Sequence, residues 1–203
     1  MTAMNELNES DSLRADVYRL LARLLREPPD ASLLDWLAGL EVEQDGTLLA
    51  ERWASLVDAA GEASVEDLER AHFQHLVGVV QGDITPYASW YRNGELMDAA
   101  LVALRRDLKA LGFRRAEHSR DPEDHLAALG EVMAMLIEGR SPEEARFFMT
   151  HLAPWATDCL ADLGRVETPF HARLGRLGQA FMEQEYRRLE AEAQQDPVRI
   201  VEP

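Results

Sequence analysis

Apolar residues recur at intervals of three and four through most of the chain, which is the spacing of an α-helix that buries one face. In residues 11–29 this spacing continues until Pro28 and Pro29, which cannot extend a helix. No stretch shows a convincing β-strand pattern of alternating apolar and polar residues. Comparable helical stripes follow in residues 30–40, 46–61, 64–78, 95–113, 121–139, 141–164 and 168–193. The pattern predicts an all-α protein, built as a single helical-bundle domain of about eight helices.

A polar segment, residues 114–120, separates the fifth predicted helix from the sixth. It is the predicted linker between an N-terminal helical lobe, residues 1–113, and a C-terminal helical lobe, residues 121–194, of the same domain. Long helices joined by such a linker can exchange between protomers. The sequence is therefore compatible with a monomer and with a domain-swapped dimer.

Three predicted helices of the C-terminal lobe begin with a capping residue followed by proline. Asp121, Ser141 and Thr168 are the predicted caps, and the proline after each fits the first helical position because an N–H there would lack a partner. Another proline, Pro154, lies inside a helical stripe. We expect it to bend or interrupt that helix at residues 151–153.

Charge and cysteine content narrow the class of protein. The 203 residues include 37 Asp and Glu against 21 Lys and Arg, which gives a formal net charge of -16. Such a surface repels nucleic acid and anionic membranes; it suits a basic partner, or it serves only to keep the protein soluble. Cys159 is the single cysteine, so no intrachain disulfide can form, and no segment resembles a secretory signal or a membrane span. The sequence predicts a soluble, cytoplasmic protein without membrane insertion.

The segment TPYASWY, residues 85–91, is rich in aromatic residues where a polar loop would be ordinary. Pro86 stiffens the turn, and the rings of Tyr87, Trp90 and Tyr91 suit a surface that is apolar at one end and wet at the other. A loop packed down by its own aromatics and one wall of a peptide-binding groove are both consistent with this composition.

The segment DPEDHL, residues 121–126, places Asp124 and His125 in the predicted first turn of a helix. The free N–H groups there favour a carboxylate and disfavour a protonated imidazole. Asp124 is therefore expected to serve the helix terminus, and His125 is expected to be neutral. The same pair could bind the arginine or backbone of a peptide.

The segment HLAPW, residues 151–155, surrounds the internal proline. His151 and Trp155 are four residues apart, so they lie on one helix face if the helix continues past Pro154. Either this is a kinked core helix with a buried tryptophan, or the kink directs both side chains toward a groove.

Besides peptide binding, two further functions are compatible with these residues. A small hydrolase-type enzyme could use Asp124 and His125, although the chain carries no recognised nucleophile or nucleotide-binding motif. A regulatory or metal-binding helical bundle could use Glu69 and His72, which form one E-x-x-H, together with His75. A di-iron bundle needs a second E-x-x-H, and the sequence has none.

The segments FQHLVG (residues 73–78), TPYASWY, DPEDHL and HLAPW, taken in this order, resemble the redox-enzyme maturation chaperones of the TorD/DmsD/NarJ type. The resemblance covers roughly residues 65–185. It departs from the family pattern at His72 and Val77, where a bulky apolar or aromatic residue is common.

The resemblance implies a TorD-like helical protein that is not an enzyme and has no cofactor of its own. The implied partners are the apo catalytic subunit of a molybdoenzyme of the dimethyl-sulfoxide-reductase superfamily and its twin-arginine leader peptide. Contact with the molybdopterin cofactor of that client would be transient. The implied peptide-binding residues are Phe73, Leu76, Val77, Pro86, Tyr87, Ser89, Trp90, Tyr91, Asp124, His125, His151, Pro154 and Trp155.

Overall fold

A computed structural model describes residues 8–79, 81–115 and 121–195. The described residues form ten α-helices and one π-helix and no β-strand, as the apolar spacing predicts. The helices are α1 (Glu9–Arg26), α2 (Ala31–Ala38), α3 (Leu48–Glu62), α4 (Val65–His72), the π-helix (Phe73–Val77), α5 (Ala88–Asn93), α6 (Ala99–Ala110), α7 (Leu126–Glu138), α8 (Glu144–His151), α9 (Ala156–Leu163) and α10 (Pro169–Gln195).

The helix count exceeds the predicted eight for two reasons. Pro154 interrupts the stripe of residues 141–164, so that α8 and α9 are separate helices joined by a turn. The aromatic segment also contains a short helix of its own, α5.

Two of the three predicted caps are wrong. Helix α10 begins at Pro169, directly after Thr168, as expected. Helix α8, however, begins at Glu144 and not after Ser141, and α7 begins at Leu126 with His125 as its N-cap, four residues beyond Asp121. At α7, the Leu126 N–H donates to the Pro86 carbonyl of a distant segment where the helix starts, whereas at α8 the Ser141 hydroxyl accepts the Glu143 N–H in a turn before the helix.

Three helix pairs dominate the packing. Helix α1 packs along α7, and α10 packs against both α9 and α3. Gly175 permits the close approach of α10 to α9, because a Cβ atom there would collide with the backbone nitrogen of Gly164.

One hydrophobic cluster joins the two predicted lobes. It includes Tyr18 from α1, Met133 from α7 and Leu174 from α10, all of them fully buried. The division into two lobes stays a prediction, and residues 116–120 of the predicted linker lie outside the described residues.

A buried ion network crosses the same helices. The Arg14 guanidinium of α1 donates to both carboxylate oxygens of Glu185 in α10, each at 2.7 Å, and to Glu144 of α8 at 2.5 Å.

In the described part of the chain, no helix is both long and apolar enough to cross a membrane.

Candidate functional site

Two segments that are 35 residues apart in sequence cap each other's helices. Helix α5 begins after Tyr87 without a capping side chain of its own, and Asp124 takes that role from the other segment. Its Oδ2 atom accepts the backbone N–H of Ser89 at 2.9 Å and the Ser89 hydroxyl at 2.6 Å. The Asp124 carbonyl also accepts the N–H of Ala88 at 3.0 Å. Asp124 therefore supplies the N-cap that α5 lacks.

The same two segments are also joined by a hydrogen bond in the opposite direction, from the second segment to the first. We call this pair of segments, residues 86–89 and 124–127, the clasp. The Leu126 N–H donates to the Pro86 carbonyl at 2.8 Å, and the Ala127 N–H donates to Nδ1 of His125 at 3.0 Å. Tyr87 and His125 form an isolated antiparallel backbone bridge, and their rings meet edge to face at 4.9 Å. The expectation that Asp124 and His125 lie inside the first turn of α7 is wrong, since both precede the helix.

A cavity of about 280 Å³ lies in front of this clasp. Five of the predicted site residues line it, namely Leu76, Val77, Pro86, Tyr87 and His125. Its other lining residues were not among the predicted peptide-binding residues; they are Leu25, Arg26, His72, Gln81, Gly82, Ile84, Thr85, Leu96 and Asp121.

The π-helix and the loop after it also line the cavity. Gly78 has a φ of 67°, and a Cβ atom there would collide with the Gln81 carbonyl oxygen, so only glycine fits. His75 holds the loop through Asp83, with 2.7 Å between Nδ1 and Oδ2. A π-helix is rare and often occurs at functional sites, because its extra residue redirects the side chains around it.

Burial shifts the pKa values of three rings that line the cavity. It lowers the pKa of His125 to about 4, with the Arg26 charge adding to this effect and Asp121 opposing it. Burial also lowers the pKa of His72 and raises the pKa of Tyr87 to about 12. All three rings are therefore uncharged at neutral pH. His125 is neutral as the sequence predicts, although burial is the main cause and the predicted helix terminus is not.

Apolar side chains remain exposed around the cavity. Val77 and Leu96 line it and are each 51% exposed. Phe73, at the start of the π-helix, is 50% exposed. Exposed apolar groups beside a cavity are typical of a surface that binds a partner.

The remaining predicted residues lie elsewhere. Ser89 and Asp124 are fully buried and do not line the cavity, while Trp90 is 37% exposed and also does not line it. Tyr91 is half-buried and packs on Trp155, with 5.7 Å between the ring centroids.

The HLAPW segment belongs to the core except for its proline. Trp155 is buried and donates its indole N–H to the His151 carbonyl at 2.6 Å, and His151 contacts Asp107 of α6, with 3.0 Å between Nε2 and Oδ2. Pro154 is exposed in the turn between α8 and α9. The structure thus places His151 and Trp155 in the kinked core arrangement and not beside the cavity.

The chemistry of the cavity does not favour the hydrolase hypothesis. A general base works best with a pKa near the operating pH, whereas the pKa of His125 is about 4 and its Nδ1 atom already accepts the Ala127 N–H. Within residues 8–79, 81–115 and 121–195, no group of three or more His, Cys, Asp or Glu side chains is placed to hold a metal ion. The ring centroids of His72 and His75 lie 6.1 and 5.5 Å, respectively, from that of His171. The three histidines are therefore buried neighbours and not a metal site within the described residues.

Comparison with known proteins agrees with the resemblance seen in the sequence. The DmsD Tat proofreading chaperone of Salmonella typhi is 28% identical over 174 residues, which cover 82% of this chain and 85% of that protein. A crystal structure described as a redox enzyme maturation protein from Archaeoglobus fulgidus shares the fold with a TM-score of 0.56 and 16% identity, covering 84% of this chain and 94% of that one. The model of the nitrate reductase delta subunit family matches residues 42–161, more than half of the chain. The protein belongs to the nitrate reductase delta subunit family.

Proposed function

We propose that this protein is a chaperone for the maturation of a molybdopterin-dependent oxidoreductase and that it binds the twin-arginine leader of the apo catalytic subunit. It would hold that subunit until the cofactor is inserted and so prevent premature export. Family membership and the similarity to a Tat proofreading chaperone support this function. The cavity beside Tyr87 and His125, with Val77 and Leu96 exposed at it, is the observation that carries the proposal.

The chemistry of the cavity matches a leader peptide. A twin-arginine leader is basic and then apolar; the chain carries a net charge of -16, and the cavity combines apolar side chains with neutral hydrogen-bonding rings. Long-range attraction would speed the encounter and weaken with salt, whereas burial of the apolar segment would supply most of the affinity.

The thirteen sequence-predicted residues would divide between contact with the peptide and support of the fold. Leu76, Val77, Pro86, Tyr87 and His125 would contact the peptide, and Asp124 and Ser89 would hold Tyr87 and His125 in place. Phe73 and Trp90 are exposed and could extend the contact surface. Tyr91, His151, Pro154 and Trp155 would act through the fold.

The chaperone would work in the cytoplasm by stoichiometric binding, without turnover and without a cofactor of its own. Contact with the client's molybdopterin would be transient. The protein would act as a monomer or a domain-swapped dimer on a client of the dimethyl-sulfoxide-reductase superfamily.

Binding of a leader peptide tests this function directly. The probe is a synthetic peptide that copies the leader of a molybdoenzyme catalytic subunit from the same organism, titrated into the full-length protein by calorimetry. Saturable binding that weakens between low and high salt is expected. Pull-down of the apo catalytic subunit, with and without its leader, gives a second readout. If neither the peptide nor any molybdoenzyme subunit binds, the proposed function is wrong.

A further inference from the structure

Charge is distributed unevenly over the residues that line the cavity. Arg26 and Asp121 are the two lining residues that carry a formal charge, because His72 and His125 are neutral. Arg26 is already neutralised by a bidentate ion pair with Glu131 of α7. Asp121 is exposed and forms no ion pair with any cation of the described residues. Among the described residues, the cavity therefore offers one charge without an ion-pair partner, and it is negative.

The surroundings of Asp121 suit a planar cation. Asp121 lines the cavity together with Tyr87 and His125. After burial, which is the main cause of both shifts, its charge further raises the pKa of Tyr87 and opposes the fall in the pKa of His125. A guanidinium can pair with a carboxylate through two parallel N–H donors while its face stacks on an aromatic ring. An ammonium group offers neither the fork nor the flat face.

We infer that Asp121 is the position at which the cavity receives a guanidinium group of the bound leader, and that it sets the preference of this site for arginine. This inference rests on the proposed function and adds to it a residue that reads the charge of the peptide. Asp124, which the sequence suggested for this contact, is fully buried, and its Oδ2 atom accepts two hydrogen bonds from Ser89. Asp121 is the accessible carboxylate.

A double-mutant cycle between protein and peptide tests the pairing. The affinity of the wild-type protein and of Asp121→Asn is measured by calorimetry for the twin-arginine peptide and for the same peptide with both arginines replaced by glutamine. We expect Asp121→Asn to weaken binding of the arginine peptide about tenfold and binding of the glutamine peptide less than about twofold. A third peptide with two lysines should bind the wild-type protein more weakly than the arginine peptide.

Asp158→Asn is the matched control. Asp158 is exposed in α9 and does not line the cavity, and the substitution changes the net charge by the same amount. It should leave the affinity for the arginine peptide within about twofold. If Asp121→Asn and Asp158→Asn behave alike, or if Asp121→Asn weakens the arginine and glutamine peptides equally, the inference is wrong while the proposed function stands. If the wild-type protein binds none of the three peptides and no molybdoenzyme subunit, the function itself fails.

Discussion

The carboxylate of Asp124 accepts both the backbone N–H and the hydroxyl of Ser89, although 35 residues separate them. Both residues are fully buried. This contact, and not a direct contact with a ligand, explains why an aspartate stands at position 124. It fixes the start of α5, and with it the position of Tyr87, which lines the cavity.

Replacement of Asp124 by alanine is therefore expected to destabilise the protein. The substitution leaves two buried donors of Ser89 without an acceptor, so the free energy of unfolding should fall by about 2–4 kcal/mol, as measured by urea denaturation. Ser89→Ala removes the hydroxyl but keeps the backbone bond and should lower it by about 1 kcal/mol. Equal unfolding midpoints for wild type and Asp124→Ala would contradict the capping role.

Val77 provides a test of the cavity that does not disturb the fold. Because Val77 is half exposed, Val77→Asn should change the free energy of unfolding by no more than about 0.5 kcal/mol. Loss of apolar contact with the leader peptide should weaken binding about fivefold to tenfold. Val102→Asn is the matched control, since Val102 is 66% exposed on α6 and does not line the cavity. Similar affinities of the two variants would exclude Val77 from the binding surface.

Gly78 is expected to be irreplaceable in the loop that forms one cavity wall. Gly78→Ala should destabilise the protein by more than about 3 kcal/mol, because the new methyl group would overlap the Gln81 backbone. Gly46 has a similar positive φ of 75°, but no atom lies within 4 Å of the position that a methyl group would take there. Gly46→Ala should therefore lower the free energy of unfolding by about 1 kcal/mol. Comparable losses in the two variants would show that backbone conformation alone, and not the close contact, decides the choice of glycine.

The buried histidines predict loss of stability in acid. Burial and the neighbouring imidazoles lower the pKa of His171 to about 3, and burial lowers that of His125 to about 4. In the unfolded chain both have a pKa of about 6.5, so between that pH and their folded pKa values the unfolded state binds more protons. The free energy of unfolding should thus fall by a few kcal/mol as the pH falls from 7 to 5.

A non-titrating variant isolates one of these protons. Urea denaturation of His171→Asn at several pH values should give a shallower dependence of the unfolding free energy on pH between 5 and 7, by about one proton. The same slope in variant and wild type would mean that His171 titrates normally in the folded protein.

The sequence was informative where local rules decide the structure. Apolar spacing located the main helices, and Pro28 and Pro154 correctly marked where helices end or break. The sequence was misleading at Asp121. An aspartate followed by a proline is typical of a helix start, yet the chain continues to His125 before α7 begins. The hydrogen bond from Leu126 to Pro86 fixes that boundary, and no local pattern announces a partner 40 positions away.

The composition of the cavity was only partly predictable for the same reason. TPYASWY and DPEDHL supplied Tyr87 and His125, but Arg26 comes from the end of α1, which a sequence pattern shows only as a charged residue on an amphipathic helix. HLAPW looked like a third part of the site. Its Trp155 is instead buried and packs against Tyr91, and it lies in the same turn between α8 and α9 as Pro154.

Reciprocal capping also has a consequence for the synthesis of this protein. The N-terminal segment of the clasp, with Pro86 and Ser89, leaves the ribosome before the segment with Asp124 and Leu126, which supplies the other partners of these hydrogen bonds. Until then Tyr87 has no His125 ring to meet, and the cavity lacks one side. If the proposed leader binding is right, a nascent chain would engage its client through this site only after residues 124–127 have been made.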